Sequence, residues 1–153
     1  MKTILTPVDF SDVSEAVVAE AGTLALALGG RVVLLAVIQP PVITSEYAPM
    51  MENMAEITAA GEKAASKRLL AFQENLEQLG LPVDALQLNG APVPNIAQQA
   101  QKVGADYIVM GSHGHTAFYD LLVGSTTHGV LMRARCPVVI VPAQKKRETK
   151  LKK

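Results

Sequence analysis

The 153-residue chain has one cysteine, Cys136. No disulfide can close within it, which excludes the small stapled scaffolds of oxidising compartments and makes a reducing cytoplasm its expected home. Nor does any apolar run reach the ~18 residues that read as a membrane-spanning helix. The opening Met1-Lys2-Thr3-Ile4-Leu5-Thr6-Pro7 offers one basic residue and an apolar stretch cut short by proline, unlike a secretory signal. A soluble cytoplasmic protein is expected. Net charge is also lacking, since 14 basic side chains balance 14 acidic ones.

Three nucleotide and nucleophile signatures are absent as well. A dinucleotide fold of the G-x-G-x-x-G type needs glycines after its first strand, where this chain has Asp9-Phe10-Ser11-Asp12. There is no G-x-x-x-x-G-K-[ST] string for a P-loop and no G-x-S-x-G nucleophile elbow. Internal repeats and low-complexity stretches are missing too.

With 49% hydrophobic and 18% charged residues, the chain is expected to be globular. Its length suits one domain with a core that needs no staples. Charge is unevenly placed. Residues 1–144 carry 8 basic and 13 acidic side chains, a balance of −5, whereas residues 145–153, KKRETKLKK, carry 6 and 1, a balance of +5. The expectation is a folded domain over 1–143 and a solvated, disordered basic tail over 144–153. A weak anionic partner for the tail is the lesser reading, and the acidic body argues against specific nucleic-acid binding.

Apolar runs of strand length alternate with helical periods. Ile4 to Val8 reads as a buried strand. Asp12 and Glu15 have capping-box spacing for a helix that carries Val13, Val17, Ala21, Leu24 and Leu28 and stops at Gly29-Gly30. Arg31 to Ile38 contains VVLLAVI, a run suited to a strand covered on both faces. After a proline-bracketed loop, a helix is expected over 51–79. Its apolar side includes Met54, Ile57, Ala64, Ala65, Leu69, Phe72, Leu76 and Leu79. Val83 to Asn89 is a third strand, and Gly90-Ala91-Pro92 turns into a helix marked by Ile96, Ala97, Ala100 and Val103. Tyr107 to Met110 is a fourth strand, Ser125 to about Ala134 a short helix, and Pro137 to Val141 a fifth strand. Strict alternation argues for an α/β fold, a doubly wound five-stranded parallel sheet with helices on both faces. Sheet orders 2-1-3-4-5 and 3-2-1-4-5 both fit, and each places a ligand at the carboxyl ends of the strands.

The informative stretch is Gly111-Ser112-His113-Gly114, nine residues, then Gly124-Ser125. It runs from the end of the fourth strand to the start of the fourth helix. Phosphate needs donors packed close, with no side chain in the way. Glycines let the backbone approach, successive amides form an anion-binding nest, and a helix start adds free N–H groups and the positive end of a dipole. With glycine at ~7% of residues and Ser plus Thr at roughly 13%, such spacing arises by chance in roughly 0.6% of chains this long.

These motifs resemble the ATP-binding branch of the universal stress proteins. Pro7-Val8-Asp9-Phe10-Ser11 is similar to that family's first-strand signature, Asn89-Gly90-Ala91-Pro92 to its third-strand turn, and Arg135-Cys136-Pro137-Val138-Val139 to its last strand. The resemblance covers residues 1–142 and implies sheet order 3-2-1-4-5. It implies that ATP, or ADP or AMP, binds with Pro7, Val8 and Asp9 lining the pocket and Val37 on adenine. Met110 and Gly111 would meet the ribose. His113, Gly114 and His115 would border the phosphates, with Gly124, Ser125 and Thr126 closing around them. Thr126 departs from the family, where an apolar residue is frequent. The implied role is a nucleotide-responsive regulatory module in stress response. Alternatives are a partner-binding scaffold with an unused pocket, or a slow ATPase in which Asp9 polarises water.

Other chemistry has little support. His113, His115 and His128 lack cysteine or carboxylate companions at ligand spacing, so Mg²⁺ or Mn²⁺ carried on the phosphates is favoured over a transition-metal site. Ser112 and Ser125 lie near histidines, but no third orienting group is visible. Cys136 reads as inert. The fifth strand, Val138, Val139, Ile140 and Val141, has no charge and should form a sheet edge, which predicts a homodimer through that edge. The 39–50 loop, the signalling partner and the choice among ATP, ADP and AMP have no assignment from residues alone.

Overall fold

The apolar runs become strands in the computed structural model, which describes residues 1–40, 51–113 and 123–143. They are β1 (Thr3–Val8), β2 (Arg31–Ile38), β3 (Val83–Asn89), β4 (Tyr107–Gly111) and β5 (Val138–Val141). All pair in parallel, in the order β3-β2-β1-β4-β5. Four helices connect them: α1 (Ser14–Leu28), α2 (Met51–Glu77), α3 (Pro92–Lys102) and α4 (Ser125–Arg133).

The chain steps outward from β1 to β2 to β3, recrosses the sheet to β4, and continues to β5. Right-handed crossovers therefore put α1 and α2 on one face and α3 and α4 on the other. Two cores follow. Ile4, Val32, Leu34 and Val109 pack with Val17, Ala21, Leu69 and Leu76, whereas Leu5, Val33, Leu35 and Ile108 pack with Ile96 and Val130. Successive residues of β2 feed opposite cores, which is why its run is apolar throughout. Thr6 breaks the pattern in β1. It is fully buried, and its Oγ1 has no partner among the described residues.

Two local expectations need correction. The capping box of Asp12 and Glu15 does not form. Val13 is the N-cap of α1, with no side-chain bond. The entry is closed by backbone instead, Ser14 N–H donating to Ser11 O at 3.0 Å, and the carboxylate beneath that turn is Asp9. Helix α2 ends at Glu77, and its buried stripe is Ala65, Leu69 and Leu76, flanked by Phe72. Ala64, Ile57 and Leu79 are exposed, the last two at 68% and 56%. Glu62 meets the last residue of β3, its Oε1 accepting from Asn89 Nδ2 at 3.3 Å, so the turns before it project past the sheet. Leu79 follows the helix and precedes Gly80, which turns the chain at φ 82.

The amino ends of the strands are braced. Thr3 N–H donates to Asp106 Oδ2 at 2.8 Å, Asp106 N–H to Thr3 O at 2.8 Å, and Arg31 N–H to Lys2 O at 2.8 Å. Lys2 Nζ lies 3.4 Å from Asp106 Oδ1, and Arg31 Nη1 lies 3.0 Å from Asp84 Oδ2. The Thr3 amide, helped by Lys2, holds the Asp106 carboxyl below the usual carboxylate range. Among the described residues, no helix is long and apolar enough to cross a membrane.

Candidate functional site

The path of the chain opens a gap at the carboxyl end of the sheet. After β1 it turns to one face as α1, and after β4 it turns to the other as α4. Ligands of open α/β sheets settle where such neighbours part. A cavity of about 350 Å³ lies there, within the range of small-molecule sites.

Ten of the twelve residues expected from sequence line it: Pro7, Val8 and Asp9 after β1, Val37 at the end of β2, Met110, Gly111 and His113 after β4, and Gly124, Ser125 and Thr126 at the start of α4. Gly114 and His115 lie outside the described residues, as do residues 41–50 of the proline-bracketed loop and the basic tail from 144.

On the β4 side, Ser112 fastens both ends of the glycine-punctuated loop. Its N–H donates to Val141 O at 2.9 Å, its carbonyl accepts from Gly124 N–H at 2.7 Å, and its Oγ accepts from Ala143 N–H at 3.1 Å. Ser112 is buried and serves as a staple. Thr127 Oγ1 donates to Gly111 O at 2.7 Å, tying α4 to the end of β4. Gly111 is required by a close approach, since a Cβ there would stand 2.6 Å from Val13 Cγ1.

Helix α4 then begins after Gly124 with no side-chain cap among the described residues. Gly124 has extended backbone (φ −67, ψ 163) and no side-chain oxygen, and the first turn holds no acidic residue. The first bond within the helix is His128 N–H to Gly124 O at 2.9 Å. The amides of Ser125, Thr126 and Thr127 come before it and have no acceptor in the helix, and these three residues line the cavity. The dipole adds partial positive charge at that end. Beside them, His113 Nδ1 is buried with no partner among the described residues. That nitrogen is covered by the protein itself and does not open onto the cavity.

On the β1 side, Asp9 is exposed at the rim. Its Oδ1 accepts from Ser11 N–H at 3.0 Å and from Ser14 Oγ at 3.3 Å, so Asp9 both faces the cavity and holds the turn into α1. Phe10, inside that turn, has φ 62. A bulky residue in the left-handed region costs about 1–2 kcal/mol. Its ring is tied to α2, stacked on Phe72 with centroids 6.2 Å apart and planes 7° apart, and capped by Arg68, whose Cζ lies 4.9 Å from the centroid. Arg68 Nη2 also donates to Phe10 O at 3.2 Å.

Sequence reasoning missed Phe10, Ser14, Gln39, Pro92 and Thr127, which also line the cavity. Pro92 had a usable signal, since it opens α3 directly after β3 and so belongs to the carboxyl end. The orphaned His113 nitrogen had none. Among the described residues, no three His, Cys, Asp or Glu side chains group as metal ligands. Cys136 lies away from the cavity, in a small hollow of about 160 Å³ beneath α3 and α4, and burial, with Asp106 nearby, pushes its thiol up. That disfavours the nucleophilic thiolate.

Residues 1–142 match the family model described as Universal stress protein family. The chain belongs to this family. A universal stress protein of Thermus aquaticus, encoded in the QAH/OAS sulfhydrylase 3′ region, is 34% identical over 92% of this chain and 98% of its own length. The solved structure of MJ0577 of Methanocaldococcus jannaschii superposes with a TM-score of 0.80 at 29% identity, covering 94% of this chain and 97% of that one. A universal stress protein solved in complex with cAMP superposes with a TM-score of 0.66 at 24% identity, over 94% and 98% of the two chains, a likeness of fold.

Proposed function

We propose that the chain binds an adenine nucleotide (ATP, ADP or AMP) in the cleft between β1 and β4, and works as a nucleotide-responsive regulatory module. The observation that carries this reading is the start of α4, which has no side-chain cap among the described residues and whose first residues, Ser125, Thr126 and Thr127, line the cavity with amides that have no acceptor in the helix. Phosphate oxygens satisfy such donors, and the helix dipole favours their charge. Val37 packs on the base, Met110 and Gly111 meet the ribose, and Gly124, Ser125 and Thr126 hold the phosphates. Gly114 and His115 join the proposal on sequence position alone.

Mg²⁺ or Mn²⁺ suits this donor set. Such ions take one or two carboxylates and otherwise phosphate and water oxygens, and Asp9 supplies one carboxylate at the rim. When bound, the ion neutralises phosphate charge. Asp9 would help to hold it, with the Ser11 amide on Oδ1. Ser112 is occupied as a staple and Cys136 lies away from the cavity, which leaves binding as the reading of the site. The fold neighbour solved with cAMP is in keeping with an adenylate ligand.

The test is mass spectrometry of the small molecules released when the purified protein is precipitated with acid, followed by calorimetry with millimolar adenylates. An adenine nucleotide in the supernatant, or saturable heat with ATP, supports the proposal. A protein that releases none and gives no heat defeats it.

A second element of the reading is assembly. Strand β5 pairs only with β4 among the described strands, and Val138, Val139, Ile140 and Val141 are all half-buried and uncharged. An apolar edge invites pairing, and a second copy of the same edge is its fitting partner. Sedimentation at micromolar concentration should show a dimer that Ile140→Lys splits without unfolding. A wild-type monomer would contradict it.

A further inference from the structure

The β1–α1 turn contains an unusual choice of residue. Phe10 occupies the left-handed region, where glycine or asparagine is the residue without penalty. Backbone strain at a cavity wall is informative only if the surroundings enforce it, and here they do. Two residues one turn apart on α2 grip Phe10, Phe72 through its ring and Arg68 through both ring and carbonyl. The bend at Phe10 in turn brings Ser11 N–H back onto Asp9 Oδ1. Alongside the Ser14 hydroxyl, one of the bonds that orient the rim carboxylate therefore depends on a contact with α2, none of whose described residues lines the cavity.

We infer that Arg68 and Phe72 are positioning residues for the nucleotide site. By holding Phe10 in its left-handed bend they fix Asp9 at the rim, and they link α2 to the occupancy of the cleft. This rests on the adenine-nucleotide reading and deepens it, because it names the element through which occupancy is felt. Linkage makes the effect reciprocal: if the grip of α2 on Phe10 favours the ligand, the ligand must favour that grip. Occupancy would then steady α2 around Arg68 and Phe72. Arg68 is exposed there, so the change would be felt on the protein surface.

Two readouts test this together: calorimetric affinity for ATP, and amide exchange at Ser11 in the ligand-free protein. Arg68→Met keeps the apolar stem and removes the guanidinium. It should bind ATP roughly fivefold or more weakly, the lower end of ordinary coupling between sites. The Ser11 amide should exchange faster, with the melting temperature near that of the wild type. Arg68→Lys, which keeps a cation and a donor, should recover much of both. Phe10→Gly, which tolerates the bend but releases α2, should reproduce the loss. Unchanged ATP affinity in Arg68→Met, or unchanged Ser11 exchange, overturns the coupling. A wild-type chain that takes up no adenylate fails earlier, at the nucleotide reading, and removes the coupling with it.

Discussion

The two ends of the sheet are built for different purposes. At the amino end, Lys2, Thr3, Arg31 and Asp106 cross-brace strands through hydrogen bonds and exposed ion pairs, and Gly30 is pressed so close that a Cβ would stand 2.6 Å from Lys2 O. At the carboxyl end, α1 and α4 turn to opposite faces and leave a cavity lined by the first residues of α4 and by Phe10 in the left-handed region. One sheet thus carries bonded polar groups at its amino end and, at its carboxyl end, a cavity beside a helix start and a strained residue. Changes at the cavity should therefore move affinity more than stability, and changes at the brace the reverse.

The sharpest way to break that contrast is Gly124→Val. The backbone there is extended and tolerates valine, so the fold should survive. Methyl groups set against a phosphate should cost about 1–3 kcal/mol of fit, roughly a tenfold to hundredfold loss in ATP affinity. Parallel melting and titration curves would check it. Gly111→Ala tests the opposite outcome at the same end. Its Cβ meets Val13, so overpacking should lower stability by about 1–3 kcal/mol in a denaturant titration, whether or not ligand is present.

Between the ends, Thr6→Val removes a buried hydroxyl with no partner and keeps the shape, which should raise stability by about 1 kcal/mol and leave affinity unchanged. The smallest effect is expected at the brace. The Asp106 carboxyl sits below its ordinary range because it accepts from Thr3 and faces Lys2. A depressed folded value gives stability that is complete above the unfolded pKa, ~3.9, and lost as pH falls through the lower folded one. Acid titrations should show that slope in the wild type and a flatter one in Asp106→Asn, with equal ATP affinity in both.

How much of this was legible in the sequence follows from how local each signal is. Strand and helix alternation and the ends of β2 and β3 depend on neighbours in the chain, and the structure has them as the sequence implies. The sheet order does not follow from alternation, which 2-1-3-4-5 and 3-2-1-4-5 both satisfy; the family resemblance implies 3-2-1-4-5, and the strands pair in that order. The capping box failed because a backbone bond from Ser14 to Ser11 took the place that Asp12 was expected to fill. Ile57 and Leu79 have helical spacing but no sheet beneath them, which periodicity cannot report. Phe10 was hidden for a related reason: its bend is enforced by Arg68 and Phe72, some sixty residues away.

The most direct measurement is calorimetric titration of the purified, nucleotide-stripped chain with ATP and Mg²⁺, run beside Gly124→Val. Saturable heat at one site per chain, sharply weakened in the variant at unchanged melting temperature, is the predicted result. Heat of equal size and affinity in both proteins, or none in either, would contradict phosphate binding at the start of α4.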